Sequence, residues 1–242
     1  MQGKIVSISG FDGVGKTTQI KRIIENLKKK DSAISLFDVI KEDTYTSYQD
    51  IKTIKKIFSM YKYVSVRFFL SGPETKRLQQ KVLNGKEDIF SRITLIEKLC
   101  EFEKRDSTIW FEEVILPLRD KGITFFFDRY FYDLIAYRTL YGVKKEDLKD
   151  MFSNFVEPDI KWFLEKKIED IIEINRSRLD GTTILYKQKN KLIELDKNWK
   201  TLCEEYKIIK INGNRSENEI TKELLKKLST IKYDEEWIET NI

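Results

Sequence analysis

The sequence contains no histidine, two cysteines, three prolines and no long hydrophobic run. Without histidine, the chain has no Ser-His-Asp triad, no Cys-His pair, no His-ligated zinc and no imidazole base. Charge stabilisation and proton transfer must therefore come from carboxylates, lysine, arginine, tyrosine or a bound metal ion. No segment approaches the roughly 18 apolar residues of a membrane span. The opening residues MQGKIVSISG lack the pattern of a signal peptide.

The two cysteines, Cys100 and Cys203, are far apart and form no CxxC pair. Few cysteines are typical of a reducing compartment, so we expect two free, buried thiols in a cytoplasmic protein. The net charge of +5 is small beside 45 basic and 40 acidic residues. It permits an anionic small molecule but is too weak to predict a nucleic-acid polymer as partner. We expect no membrane partner.

The length of 242 residues predicts one domain, or one domain with an inserted lobe. Apolar β-branched and aromatic runs predict strands over 4–9, 33–40, 123–127, 160–164 and 208–211; the run 64–70 fits a strand or the start of a buried helix. Helical spacing is found over 16–30, 89–120, 131–141, 145–155, 168–178, 187–205 and 217–228. Strands that alternate with helices predict an α/β protein with a parallel sheet covered on both faces. Residues 44–63 show no clear pattern, and 232–242 are expected to form a tail.

Residues 10–17 read Gly-Phe-Asp-Gly-Val-Gly-Lys-Thr and match the pattern G-x-x-x-x-G-K-[ST]. Glycines let successive backbone N–H groups turn inward around phosphate oxygens, and the following helix points its positive end at the anion. In this pattern the lysine reaches the β- and γ-phosphates and the hydroxyl holds Mg²⁺. The predicted nucleotide-binding residues are Gly10, Gly13, Val14, Gly15, Lys16, Thr17 and Thr18. This phosphate loop alone does not distinguish a kinase from a GTPase or a motor.

A second group of candidate residues follows the most apolar predicted strand, which ends in Asp128, Arg129 and Tyr130. Ligands of open parallel sheets bind at the carboxyl ends of strands, so this turn is expected to share a crevice with the phosphate loop. Asp128 suits Mg²⁺ and Arg129 suits an acceptor phosphate. The alternative is an ion pair at a helix start. Tyr130, Tyr132 and Tyr137 line a pocket or belong to the core.

Arg176 and Arg178 precede an Asp-Gly turn at the end of a predicted helix. Arginines on a closing segment stabilise the charge of a transferring phosphoryl group. A solvated helix end is the plain alternative for this pair.

Four stretches, in order, resemble the thymidylate kinase family of nucleoside monophosphate kinases. They are ISGFDGVGKTTQIKRI, VILPLRDKGITFFFDRYFYDLIAY, EPDIKWFLEKKIEDIIEINRSR and NGNRSENEITKELLKKL. The order P-x-L-x-x-G, then DRY, then AY is more specific than the phosphate loop, which many families share. The resemblance implies a three-layer P-loop kinase fold with about five parallel strands, helices on both faces and a mobile lid near 174–190. It also implies a single domain over 1–231, to which we expect this chain to add an extra helical segment near 44–88.

The resemblance further implies the cofactors ATP and Mg²⁺, nucleotide substrates and a homodimer for which the helix 89–116 is a candidate interface. Its apolar positions fit the core equally well. The implied catalytic residues are Asp12, Lys16, Arg129, Arg176 and Arg178. The implied metal ligands are Thr17 and Asp128, and the implied substrate contacts are Arg105, Arg129, Asp133 and Tyr137. Gly13 stands where some members carry a catalytic arginine, so the lid is expected to supply that charge.

Several positions depart from the family pattern. The R-E-P-G-G-T motif is missing, and residues 41–44 are a weak substitute. Ser9 replaces the acid before the first glycine of the loop, and the polar pair that the family places after DRY to meet the base reads Asp133-Leu134. The base-reading arginine falls at Ser107, with Arg105 two residues away. A site that loses its hydrogen-bonding partners loses discrimination, so these changes bear on the acceptor more than on the reaction.

The sequence therefore predicts an ATP- and Mg²⁺-dependent phosphotransferase with dTMP as the first acceptor to consider. One alternative is a kinase of the same fold acting on a deoxynucleoside or another small molecule. A second alternative is a nucleotide-binding regulatory module without transfer activity. A GTPase is disfavoured because residues 190–193 read Asn-Lys-Leu-Ile and do not complete an N-K-x-D motif.

Overall fold

The computed structural model describes residues 2–40, 45–68, 70–84, 89–176 and 189–239. Its strands within these ranges are β1 (Ile5–Gly10), β2 (Ala33–Ser35), β3 (Tyr63–Arg67), β4 (Thr124–Asp128), β5 (Ile160–Glu165) and β6 (Ile209–Asn212). They form one six-stranded sheet in the order β2-β3-β4-β1-β5-β6, and every neighbouring pair is parallel. The predicted α/β class is confirmed, with one strand beyond the five that the family resemblance implies.

The helices follow the strands along the chain. They are α1 (Lys16–Lys28), α2 (Leu36–Val39), α3 (Tyr48–Phe58), α4 (Pro73–Asn84), α5 (Ile89–Trp110), α6 (Leu116–Arg119), α7 (Phe131–Thr139), α8 (Lys145–Met151), α9 (Ile168–Arg176), α10 (Lys189–Glu205) and α11 (Glu217–Glu239). A π-helical turn, Phe111–Ile115, joins α5 to α6. No helix in the described part of the chain is long and apolar enough to cross a bilayer.

The two central strands β1 and β4 are lined by buried apolar residues. Ile5, Val6 and Ile8 of β1 are fully buried, and so is the Phe125–Phe127 run of β4. Strands buried on both faces read as continuous apolar runs, as the sequence predicts for this segment. The rings of Phe68 and Tyr130 lie 4.6 Å apart at the carboxyl end of the sheet. This aromatic packing fixes the chain where β3 and β4 end.

The predicted strand over 33–40 is wrong beyond Ser35. Ser35 begins the short helix α2 with a capping box, in which its hydroxyl accepts from the Phe37 amide and Asp38 accepts from the Ser35 amide. These local hydrogen bonds satisfy the first helical amides and outweigh the apolar run that favours a strand.

The segment near 44–88 is not only helical, because it contains strand β3 as well as α3 and α4. Helix α3 starts at a second capping box, formed by Ser47 and Asp50. Its buried residues are Ile51, Ile54 and Phe58, which lie on one face. The sequence therefore contains the start signal and the apolar face of α3, although the residue pattern over 44–63 does not by itself place the helix.

The long helical stretch 89–120 is interrupted, as its proline predicts. Pro117 lacks a backbone N–H and cannot continue a regular helical hydrogen-bond ladder. Just before it, the amide of Leu116 donates to the carbonyl of Phe111, five residues back. Ile96, Leu99 and Cys100 of α5 are buried in the core.

The last helix is longer than predicted, since α11 continues through Glu239 rather than ending near residue 228. Of the predicted lid near 174–190, the described part is the end of α9 and the first residues of α10, and 177–188 lie outside the described residues. Both cysteines are free and buried, as predicted. Burial raises the pKa of each thiol to about 12.

Candidate active site

The phosphate loop joins β1 to α1 at the carboxyl edge of the sheet. Gly10, Gly13 and Gly15 have φ angles of +146°, +85° and +99°, conformations that favour glycine. The ammonium of Lys16 folds back across the loop and donates to the carbonyl oxygens of Gly10 at 2.9 Å and Phe11 at 2.7 Å. The loop therefore has the shape of an anion cradle, with its lysine held over it.

Lys16 is 6% exposed and lies among one arginine and three carboxylates. Burial is the main cause that lowers its pKa from 10.5 to about 8, and the neighbouring Arg129 lowers it further. The carboxylates of Asp12, Asp128 and Asp133 act in the opposite direction. A bound phosphate would add negative charge here and favour the ammonium form.

Thr17 and Asp128 meet across the gap between α1 and β4. The Thr17 hydroxyl donates to Oδ2 of Asp128 in a short contact. Asp128 pairs in register with Ile8 of β1, which places the carboxylate beside the phosphate loop. Both side chains offer hard oxygen donors, the ligand type that Mg²⁺ prefers together with water and phosphate oxygens.

Elsewhere in the described ranges, no cluster of three or more histidine, cysteine or acidic side chains is arranged to hold a metal.

Arg129 occupies a left-handed backbone conformation with a φ of +72° directly after β4. Its guanidinium contacts both Asp12 and Asp133, the latter at 3.3 Å, and lies 5.6 Å from the ring centre of Tyr137. Burial acts to lower the pKa of Arg129, because it disfavours the charged form. The carboxylates of Asp12 and Asp133 outweigh burial, so the pKa of Arg129 lies well above its ordinary value. The strained backbone and the paired carboxylates aim this cation at the loop.

Asp133 lies within the site and is 2% exposed. Its Oδ2 accepts from the Ser9 hydroxyl at 2.7 Å and from the Tyr130 amide at 3.1 Å. Burial raises the pKa of Asp133, against the opposing effect of Arg129 and Lys16. Its role as a contact to the substrate base stays a prediction.

Helix α9 packs onto the phosphate loop through a residue that the sequence does not single out. Asn175, fully buried, donates from Nδ2 to the carbonyl of Asp12 at 2.8 Å and to that of Ile171 at 2.8 Å. Its Oδ1 is buried without a hydrogen-bond partner among the described residues. Arg176, the next residue, has an exposed side chain, and Arg178 lies outside the described residues.

Arg105 and the buried Asp106 form part of a polar layer between α4 and α5. Asp106 accepts from the Gly72 amide at 2.7 Å and from the Thr75 hydroxyl at 2.5 Å. The half-exposed guanidinium of Arg105 pairs with Asp106 at 3.1 Å and with Glu74 at 3.3 Å. The cation of Arg105 is therefore already flanked by two carboxylates, and its contact with the substrate stays a prediction.

A buried ion pair links α5 to α7. Glu103 is 3% exposed and accepts from Arg138 at 2.9 Å and from Gln79 at 3.1 Å. The Nε of Arg138 is buried without a partner among the described residues. Charged residues on an amphipathic helix normally predict a solvated face, which is why the sequence does not reveal this pair.

The three candidate pocket tyrosines occupy different places. Tyr130 and Tyr132 are fully buried, and the Tyr130 hydroxyl donates to the Val156 carbonyl at 2.7 Å. These two belong to the aromatic core, which is the second of the two interpretations that the sequence leaves open. Tyr137 alone lies against Arg129 in the site.

Comparison with known proteins finds related sequences along nearly the whole chain. The chain is 26% identical over 230 residues to a probable thymidylate kinase of Pyrococcus abyssi, covering 93% of this chain and 95% of that protein. It is 27% identical to a probable thymidylate kinase of Thermococcus gammatolerans, covering 92% and 94%. It is 25% identical to a thymidylate kinase of Mycoplasmopsis agalactiae, covering 98% and 99%. No protein-family model matches the chain.

These similarities support a kinase of thymidylate kinase-like type, in agreement with the resemblance found in the sequence motifs. The enzyme class predicted from the sequence, a kinase, is thus supported by several related proteins that match most of the chain, in addition to the phosphate-loop motif.

Proposed function

We propose that this protein is an ATP- and Mg²⁺-dependent phosphotransferase that transfers the γ-phosphoryl group to a nucleoside monophosphate. The observation that carries the proposal is the convergence of Lys16, Asp128 and Arg129 at the adjacent carboxyl ends of β1 and β4. The relatives named thymidylate kinase make dTMP the first acceptor to test.

The reaction needs positioning and charge neutralisation more than covalent chemistry. The loop amides and Lys16 bind the phosphates of ATP, with Lys16 exchanging its loop carbonyls for phosphate oxygens. Thr17 and Asp128 would hold Mg²⁺, which neutralises charge on the phosphate oxygens. Arg129 binds the acceptor phosphate with guanidinium donors that its carboxylate partners leave available. A chain without histidine suits this chemistry, because no proton relay through imidazole is required.

The groups around Arg105 bear on which base the acceptor carries. Near the end of α5, the candidate base-reading cation Arg105 is paired with Asp106 and Glu74. Carboxylates accept hydrogen bonds, so acceptors with an exocyclic amino group are the alternative to thymine. A deoxynucleoside acceptor is a further alternative within the same fold.

Substitution of Lys16 by alanine tests the nucleotide site. We expect Lys16→Ala to lower the rate of ADP formation with dTMP by about 100-fold or more, because the phosphates lose their buried counter-charge. The control is Lys29→Ala, an exposed lysine just after the same helix. ADP release and thermal unfolding are measured for both variants. A folded Lys16→Ala protein with the wild-type rate would refute the assignment.

A regulatory module without transfer activity gives a different result. It would bind ATP, seen as a rise in the melting temperature, and form no ADP in response to any acceptor. An acceptor-dependent rate would exclude this alternative.

A further inference from the structure

Two departures from the family pattern, Ser9 and Asp133, meet in one hydrogen bond. Ser9 lies in β1, all of whose residues are buried, and Asp133 lies in the first turn of α7, 124 positions later. The Ser9 hydroxyl donates to Oδ2 of Asp133 at 2.7 Å, and the residues are 1% and 2% exposed. A buried carboxylate is costly unless it is paired, so this placement calls for an explanation.

The carboxylate of Asp133 is fixed in orientation by its own helix. Oδ2 also accepts from the Tyr130 amide at 3.1 Å, a hydrogen bond that caps the start of α7. Oδ1 is thereby turned toward Arg129, whose Nη1 lies 3.3 Å away. The hydrogen bonds from Ser9 and Tyr130 thus hold one oxygen while the other faces the cation.

The guanidinium of Arg129 is held by carboxylates on two sides. Asp12 contacts Nη2 from the phosphate loop, and Asp133 contacts Nη1 from α7. The guanidinium has five N–H donors, so these two contacts leave others for a phosphate. Holding a long arginine side chain in place before the substrate arrives lowers the entropy that binding must supply.

We propose that Asp133 is a positioning residue that holds Arg129 for the acceptor phosphate, with Ser9 as its anchor. The strand position before the first loop glycine is a serine, and the carboxylate beside Arg129 comes from α7. That the anion is an acceptor phosphate rests on the proposed function. The placement of Arg129 rests only on the hydrogen bonds of Asp133 with Ser9, Tyr130 and Arg129.

The first test is Asp133→Asn, which keeps an oxygen acceptor for Ser9 and Tyr130 but removes the charge facing Arg129. We expect kcat/KM for dTMP to fall about 10- to 100-fold, with the KM for dTMP raised and the KM for ATP within about twofold of wild type. An equal rise in the KM values for dTMP and ATP would indicate general damage to the site and contradict the proposal. Unchanged constants would contradict it as well.

The matched control is Asp159→Asn at the opposite edge of the sheet. Asp159 also accepts from a backbone amide, that of Ile5 at 2.7 Å, and pairs with an arginine, Arg119, at 2.8 Å. We expect this variant to lose stability without a change in either KM. Comparable kinetic losses in the two variants would mean that Asp133 acts only through stability.

Relocation of the carboxylate gives a second test that a purely structural role does not pass. The exchange Ser9→Glu with Asp133→Ser returns the acid to β1, where the longer glutamate chain can reach Arg129. We expect the exchange variant to recover the KM for dTMP to within about threefold of wild type, and Asp133→Ser alone to remain impaired. A folded exchange variant no better than Asp133→Ser would contradict the positioning of Arg129 by a carboxylate at this place.

NMR of the Arg129 guanidinium separates this inference from the proposed function. We expect slow rotation of its Nη groups in the wild type and in Asp159→Asn, and faster rotation in Asp133→Asn; Arg129→Lys provides the assignment. If no nucleoside monophosphate is phosphorylated by the wild type, the proposed function fails and this measurement still decides whether Asp133 holds Arg129. Equal rotation in wild type and Asp133→Asn would refute it.

Discussion

Lys16, Arg129 and Asp133 are charged side chains held in the site with little access to solvent. Lys16 and Arg129 could be predicted from the sequence because each belongs to a short motif whose spacing determines the chemistry. Asn175 and Glu103 could not, because their partners lie 163 and 35 positions away in the chain. A polar residue on an otherwise amphipathic helix looks like surface until the helix that covers it is known.

At Gly13 the phosphate loop lies close to Ile174 of α9, which leaves little room for a side chain. An added Cβ would lie 2.8 Å from Cγ2 of Ile174, whereas at Gly15 nothing lies within 4 Å. Both positions have positive φ, so alanine at either costs about 1 kcal/mol of backbone strain. We expect Gly13→Ala to cost about 1–3 kcal/mol more than Gly15→Ala in urea unfolding, because α9 must also shift. Equal losses would contradict the packing of α9 on the loop.

At the scale of elements, capping residues at helix starts determine where helices begin in segments whose apolar pattern does not distinguish helix from strand. The capping box at Ser35 ends β2 early, and the box at Ser47 starts α3 in a segment without a clear pattern. Strand β4 and helix α7 follow the prediction closely, since their apolar runs are long and bounded by turn residues. The contact between α9 and the phosphate loop needs the three-dimensional structure, because it depends on how β5 places α9 beside β1.

Asn175 is the residue through which α9 holds the loop, so its removal has a specific expected effect. Asn175→Ala leaves the Asp12 carbonyl without this donor, and we expect a loss of about 1–2 kcal/mol together with faster amide hydrogen exchange in α9. Glu173→Ala, an exposed position on the same helix, is the control and should change neither quantity. Unaltered exchange in Asn175→Ala would show that α9 is held by other contacts.

At the scale of the whole molecule, the strand order brings the functional ends of β1 and β4 side by side. Alternating strands and helices predict this parallel arrangement, because right-handed crossovers place successive carboxyl ends on one edge. The extent of α11 beyond residue 228 could not be predicted, since it does not follow from a local pattern. The homodimer stays a prediction. Its interface is not formed by Ile96, Leu99 and Cys100 of α5, because these residues lie in the core.

The central claim is that this molecule transfers phosphoryl groups from ATP to a nucleoside monophosphate. The most direct measurement is ADP formation with ATP and Mg²⁺ in the presence of dTMP, dUMP, the other nucleoside monophosphates and the nucleosides. The account predicts an acceptor-dependent rate with at least one monophosphate, a labelled diphosphate product from γ-labelled ATP, and loss of both in Lys16→Ala. Folded wild-type protein that binds ATP but transfers no label to any monophosphate would contradict it.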